Sequence, residues 1–322
     1  MGTPGYQDED DSAKTTADWS VKDVGKSWQF RFFYFVIRIG GLRPAYHIMY
    51  FVVLWYVLFV PEIRRRTQYY LRRRFPDHRN PLRRFWDSYR LVFTFSRTMI
   101  DRAAYALLGE DVIKATCEDE KAMRAALEGG DGVVMANAHV GCWELAMSSL
   151  SLIDRPVYAV IIPPEGNSAE AHLRRENMPV KVIDPREGPQ SVLKMVQVLQ
   201  EGCILGVMAD RVFGRKEETV KARFLGDEVI FPFSPYRLAS ATGRPIVVLF
   251  SHKPRVNLYV VDLAEVIDVP PGVREPEDAE PHAQKLADAL EKYVEKHPWQ
   301  YFNFFDLWNN PFEHAENAAT SR

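Results

Sequence analysis

His139 and Glu144 are the residues of this chain whose types could do chemistry together: an imidazole that can take a proton near neutral pH, and a carboxylate that can orient it. On one uninterrupted α-helix two residues five positions apart lie about 140° apart, because each residue turns roughly 100°. The pair can meet only if the chain bends between them. Gly132-Val-Val-Met-Ala136 reads as a short buried strand, Gly141 permits a sharp turn, and Trp143-Glu-Leu-Ala-Met147 reads as the start of a helix. His139 then stands at the carboxyl end of a strand, the edge where open α/β sheets bind ligands. Glu144 falls in a first helical turn, where the helix dipole favours a carboxylate. The expected chemistry is general base catalysis: Glu144 holds one ring nitrogen as N–H, and the other takes a proton from a hydroxyl. The ordinary alternative is a surface histidine beside a glutamate that merely opens a helix. A Cys142–His139 nucleophile pair is a further alternative, set against a cysteine that simply packs at the strand–helix junction.

The elements that must position these residues follow from the rest of the chain. Its 322 residues suffice for one large α/β domain or two small ones. The formal net charge of −2 hides an asymmetry: Lys22 to Arg102 carries seventeen Lys/Arg against five Asp/Glu. Such a basic segment points to anionic lipid or nucleic acid. Three cysteines (Cys117, Cys142, Cys203) form no paired spacing, which fits a reducing compartment and excludes a disulfide scaffold. No zinc-ligand spacing is present, and no metal is expected. The first eighteen residues are polar and acidic, unlike a cleavable signal peptide, and read as a disordered tail.

From Trp28 the character changes. Phe30–Ile37 leads through Gly40-Gly41 and Pro44 to Ala45–Val60, a mostly apolar run interrupted by His47. As a helix this run spans about 24 Å, short of the roughly 20 residues of a straightforward transmembrane span. Arg38 and Arg43 precede it; Arg64–Arg66 and Arg72–Arg74 follow. A core helix is one reading. The arginine clusters favour the other, a membrane-embedded or interfacial anchor on an anionic, cytoplasmic-side surface. Nucleic acid is not an expected partner, because no helix-turn-helix, zinc-finger or RNA-recognition signature accompanies the charge.

Beyond the anchor, Pro81–Leu108 reads as an amphipathic helix and an α/β alternation begins. Helices are predicted over Glu118–Leu127, Trp143–Leu152, Ser168–Glu176, Gln190–Gln200, Ser234–Ala241 and Ala279–Lys296. Strands are predicted over Gly132–Ala138, Val157–Ile162, Val180–Ile183, Cys203–Ala209, Ile246–Phe250 and Leu258–Val261. The alternation implies an α/β fold with a mostly parallel sheet flanked by helices. The expected organisation is a tail at 1–18, a membrane-associated helical segment at 19–75, an α/β domain at 76–310, and a tail at 311–322. Gly-x-Ser-x-Gly, Walker-type and Gly-x-Gly-x-x-Gly motifs are all absent from the sequence.

Four ordered blocks add a family likeness. They are Gly130-Asp-Gly-Val-Val-Met-Ala-Asn-Ala-His139-Val-Gly-Cys-Trp-Glu144; Leu199–Gly214 with Asp210-Arg211; Phe224-Leu-Gly226 with Phe231-Pro-Phe-Ser-Pro; and Leu238-Ala-Ser-Ala-Thr-Gly243-Arg-Pro-Ile-Val-Val. From about Ser27 to Trp308 the chain resembles the lysophospholipid acyltransferase superfamily, and within it the late (lauroyl/myristoyl) acyltransferases of lipid A biosynthesis. The resemblance implies a glycerolipid acyltransferase-like fold. It implies transfer of a fatty acyl chain from acyl carrier protein or coenzyme A thioester to a hydroxyl of a membrane lipid, at the cytoplasmic face of the inner membrane. The thioester is a co-substrate, and no cofactor is implied. His139 and Glu144 match the family's His-x4-Glu motif as base and orienting acid, and backbone N–H groups around Gly141–Trp143 could hold the oxyanion.

Softer implications concern substrate binding. Arg174 and Arg175 fall in a basic region that the family could use on phosphate or donor, against a solvated helix face. Asp210 shares the sheet edge of His139 and could position a substrate, against a helix-cap role. Arg211 stands where the branch usually has Gln. Pro298–Trp308 keeps the branch's aromatics but lacks its basic pair, which leaves the acceptor open between a lipid A precursor and another lipid. A silent lipid-binding protein and a thioesterase on the same fold are the rival readings.

Overall fold

The computed structural model describes residues 27–127, 131–144, 155–162, 180–212 and 218–309. Its centre is a seven-stranded sheet in the order β1-β9-β8-β2-β5-β3-β4. The strands are β1 (Lys114–Cys117), β2 (Val133–Asn137), β3 (Val157–Val160), β4 (Lys181–Ile183), β5 (Ile204–Met208), β8 (Ile246–Arg255) and β9 (Leu258–Ile267). Each neighbouring pair is parallel except β8 and β9. The mostly parallel α/β sheet expected from the alternation is therefore the observed one. β2 is buried along its whole length, as a strand covered on both faces must be, and its Val-Val-Met-Ala run reads accordingly.

Two features were not legible beforehand. Strands β8 and β9 run at least twice as far as expected, joined in one long hairpin, and the four-residue edge strand β1 pairs with β9. A second sheet is formed by β6 (Thr219–Phe224) and β7 (Asp227–Pro232), antiparallel to each other. Their turn, Leu225-Gly226, has φ of 52° and 87°, left-handed values that glycine adopts without strain. Gln284 and Glu291 of helix α8 (Pro276–Lys296) accept from the backbone N–H groups of Arg223 and Leu225, docking this hairpin.

Four helices form the N-terminal layer: α1 (Ser27–Gly40), α2 (Leu42–Phe59), α3 (Pro61–Arg74) and α4 (Pro81–Leu108). The bounds of α4 match the expectation because its ends carry local signals. Asn80 accepts from the Leu82 N–H at 2.8 Å, Pro81 opens the first turn, and Gly109 leaves it at φ 88°. Among the described residues the remaining α-helices are α5 (Glu120–Leu127), α6 (Pro189–Gln200) and α7 (Ser234–Thr242). The predicted helix Ser168–Glu176 and most of Trp143–Leu152 lie outside the described residues.

The arginines expected to line a headgroup layer turn out to be engaged largely within the protein. Arg64 donates to the carbonyls of Val57 and Leu58, closing the C-terminus of α2. Arg65 and Arg66 bind Glu62, Arg73 binds Asp227 at 2.8 Å, and Arg74 donates to Val294 and Glu295 at the end of α8. Cations suit helix C-termini, whose carbonyls lack intrahelical partners. On α1 and α2, Arg31, Arg38 and Arg43 remain exposed.

A buried ionic cluster joins this helical layer to the sheet. Asp101 of α4, fully buried, pairs with Lys253 of β8 and accepts from the hydroxyls of Tyr46 on α2 and Tyr259 on β9. Lys253 also reaches the Tyr46 hydroxyl at 2.9 Å. A buried ion pair is tolerated only when its remaining hydrogen-bonding capacity is met, and here two phenols meet it.

Candidate active site

Register, rather than sequence proximity, decides what surrounds His139. Strands β2 and β5 pair in parallel from Val133↔Ile204 to Asn137↔Met208, and the Ala209 N–H continues the ladder to the Asn137 carbonyl at 2.8 Å. One residue further on, His139 and Asp210 sit at the same level. Asp210 accepts from the His139 backbone N–H at 2.8 Å through one oxygen, and its other oxygen lies 2.9 Å from Nδ1. A carboxylate accepts, so Nδ1 carries the proton and Nε2 is left as the basic atom. The imidazole is 31% exposed while Asp210 is 1% exposed, an arrangement that offers the base to a substrate and keeps its orienting acid from water.

Glu144, expected on the imidazole, is paired elsewhere. It stands in the helical turn that opens at Trp143, turned toward α4, and forms an ion pair with Arg102. The chain does bend at Gly141 as expected, but the bend delivers Glu144 to α4, while the strand register delivers Asp210 to the histidine. Burial pushes the Glu144 carboxyl above its usual range, and the Arg102 guanidinium opposes that rise.

The bend is built from several segments. Gly141 has φ 60°, and a Cβ there would lie 2.0 Å from the Ser251 carbonyl oxygen, so a side chain has neither the conformation nor the space. Its N–H donates to the Gln300 carbonyl at 2.8 Å, and the Phe302 N–H donates to the His139 carbonyl at 2.7 Å. The Cys142 N–H donates to Ser251 Oγ at 3.0 Å. The expectation that N–H groups around Gly141–Trp143 hold an oxyanion is corrected for Gly141 and Cys142, since both donors are already committed. Cys142 is 2% exposed and packs with Ile37, Leu42, Ala45 and Ile100, which fits the packing alternative. The C-terminal aromatics have an unforeseen part: residues 300–302 strap the turn that carries His139, and Lys253 N–H binds the Gln300 side chain at 2.7 Å.

Arg211 follows Asp210 and lies with its guanidinium 3.7 Å from the centre of the Phe305 ring. Burial draws its pKa down to about 10, against the pull of Asp210, so it stays charged at neutral pH. Arg174 and Arg175 lie outside the described residues. Near the base, Asn137, Trp143, Ala159, Ile161, Val207 and Met208 line a small hollow of about 10 Å³ at the ends of β2, β3 and β5.

The signal for Asp210 was present in the sequence. Val133-Val-Met-Ala-Asn-Ala-His139 and Ile204-Leu-Gly-Val-Met-Ala-Asp210 are two five-residue apolar strands, each followed by Ala and one functional side chain. Arg102 and Gln300 carry no such local mark. An imidazole with a buried acid on Nδ1, at the carboxyl edge of a parallel sheet, can take the proton of an alcohol. No curated protein matches the chain significantly in sequence. The family model for bacterial lipid A biosynthesis acyltransferases, however, matches residues 21–310, nearly the whole chain. The family is generally associated with the inner membrane, takes a lipid acceptor and an acyl thioester donor, and is a family of acyltransferase enzymes; this protein belongs to it.

Proposed function

We propose that the protein moves a fatty acyl chain from acyl carrier protein or coenzyme A thioester to a hydroxyl of a membrane lipid at the cytoplasmic face of the inner membrane, with His139 as the general base. The carrying observation is the Asp210 carboxylate on Nδ1 of a half-exposed histidine. Nε2 takes the proton of the acceptor hydroxyl as its oxygen attacks the thioester carbonyl. The tetrahedral intermediate collapses with loss of the C–S bond, and the imidazolium returns the proton to the departing sulfur. Asp210 fixes the tautomer and stabilises the imidazolium; Glu144 acts through Arg102 on the shape of the turn. The thioester enters as co-substrate, and no resident cofactor has a part in the scheme.

Arg211 is the cation closest in sequence to the orienting acid, and it would meet a phosphate of the acceptor or donor there. Arg174 and Arg175 are assigned to the same anionic group on the strength of the family likeness.

The test is transfer of labelled acyl chain to extracted membrane lipid, with the products resolved by mass spectrometry. Wild-type protein should give an acyl-lipid, and His139→Ala should lose at least about 10²-fold in rate. Unchanged turnover in His139→Ala would remove the base from the scheme. Free fatty acid without acyl-lipid, with acceptor present, would make the protein a thioesterase.

A further inference from the structure

The outward faces of α1 and α2 are apolar where a soluble protein would be polar. On α1, Trp28, Phe32, Phe35 and Ile39 recur at helical spacing and are 44–72% exposed. On α2, Phe51, Trp55 and Phe59 are 54–69% exposed. Leu82 and Trp86, at the start of α4, add to the exposed apolar surface of the same layer. Patches of this kind mark an interaction surface.

The opposite face of α2 is committed to the protein along its length. Ala45 and Tyr46 pack with Ile100 and Ala104; Val53 and Val57 pack with Tyr89 and Val92. The Tyr46 hydroxyl donates to Asp101, and Tyr89 donates to the Tyr50 carbonyl at 3.3 Å. At eighteen residues α2 is long and apolar enough to cross a membrane. Standing it upright would nevertheless carry α4, with Arg84, Asp87, Arg90, Arg97 and Asp101, into hydrocarbon, or else tear these contacts apart.

From these observations we infer that α1 and α2 form a platform lying flat in one leaflet of an anionic bilayer, with both ends of α2 on the side of the catalytic domain. Charge selects the occupant. From Ser27 to Phe59 the chain has Arg31, Arg38 and Arg43, all exposed, and no Asp or Glu. A second copy would set these arginines against each other, whereas anionic headgroups neutralise them. The platform adjoins the active site, since Cys142 packs under α1 and α2 and Arg102 of α4 holds Glu144. The inference extends the reading of a membrane-lipid acceptor by stating how the enzyme meets that lipid.

The experiment uses the full chain with Cys117→Ser and one added cysteine, mixed with sealed phosphatidylethanolamine/phosphatidylglycerol vesicles and a membrane-impermeant maleimide. Arg43→Cys and Pro61→Cys, at the two ends of α2, should both react from outside. Phe51→Cys and Trp55→Cys should react without vesicles and be protected at least tenfold with them. An end of α2 that reacts only after permeabilisation would show a spanning helix and overturn the inference. Equal labelling of Phe51→Cys with and without vesicles would overturn it too, as would protection without vesicles together with doubled mass in solution. Phe51→Glu with Trp55→Glu should keep the thermal midpoint yet abolish co-flotation with vesicles; retained flotation counts against the platform. The labelling pattern is read independently of turnover. Absence of acyl-lipid product with the expected pattern would therefore defeat the proposed reaction and leave the platform standing.

Discussion

Arg102 closes on Glu144, so the carboxylate that follows the histidine in sequence is held by helix α4, and the imidazole is served by Asp210 from the neighbouring strand. The two acids therefore have separable roles. Asp210→Asn should keep the fold but allow the wrong tautomer, and should lower kcat by about 10²- to 10⁴-fold. Glu144→Gln should lower it by less than about tenfold while reducing thermal stability. Steady-state rates with one acyl thioester decide the matter; the reverse ranking would return the orienting role to Glu144.

Gly141→Ala should be among the most damaging single substitutions of the site. A β-carbon would have to adopt φ 60° and displace the Ser251 carbonyl. Left-handed strain and the clash together should cost at least about 2 kcal/mol. Urea denaturation measures it, and Ala there without loss of stability would contradict the packing of the turn.

The Asp101–Lys253 pair predicts a non-additive result. Asp101→Asn and Lys253→Met each leave a buried charge behind, and each should cost about 3–5 kcal/mol. Combining them removes both charges, so the double variant should recover part of that loss. A double-mutant cycle in denaturant checks this; simple additivity would mean the charges do not interact.

His252 of β8 and His297, just past the end of α8, should make stability depend on mild acid. His252 stacks on His297 at 4.0 Å between ring centres, and its Nδ1 lies 2.9 Å from Asp262 and 3.0 Å from the Tyr293 hydroxyl. Burial, with His252 and Lys296 nearby, holds His297 below the usual 6.5, although Asp262 pulls the other way. The unfolded chain then takes up the proton first as pH falls through about 6.5, so this contribution is present above that pH and declines below it. Asp262 is raised by burial, but hydrogen bonds from His252 and Tyr293 outweigh this and lower it, so its contribution is lost only at still lower pH. Melting temperature should fall between pH 7 and 5, and His297→Gln should flatten that slope. An unaltered slope in the variant would place the acid sensitivity elsewhere.

Arg211 stands where the family likeness leads one to expect Gln, so Arg211→Gln tests what its charge contributes. Loss of one charge-assisted contact to phosphate should raise KM for the phosphorylated substrate by about tenfold or more, with kcat less affected. Equal KM values at low salt would argue that the residue serves only to pack on Phe305.

The fold was legible where signals are local or periodic. Asn80, Pro81 and Gly109 bound α4, and the apolar runs at 133–137 and 204–208 mark central parallel strands. The hairpin of β6 and β7 was hidden because its turn is Leu-Gly, without the usual Asn-Gly signal. At the site, His139 was readable from the strand that precedes it. Asp210 was readable as a second strand-end residue at the same edge, but its pairing with His139 was not, because β3 and β4 separate β2 from β5 in the chain although β5 lies beside β2 in the sheet. Spatial neighbours that depend on strand order leave no spacing rule in the sequence.

The strap from Gln300 to Phe302 also orders events in time. On a ribosome, α1 and α2 emerge more than two hundred residues before the segment that locks the His139 turn. The helical layer can thus fold first, and the turn that carries the imidazole becomes fixed only after the strap has emerged.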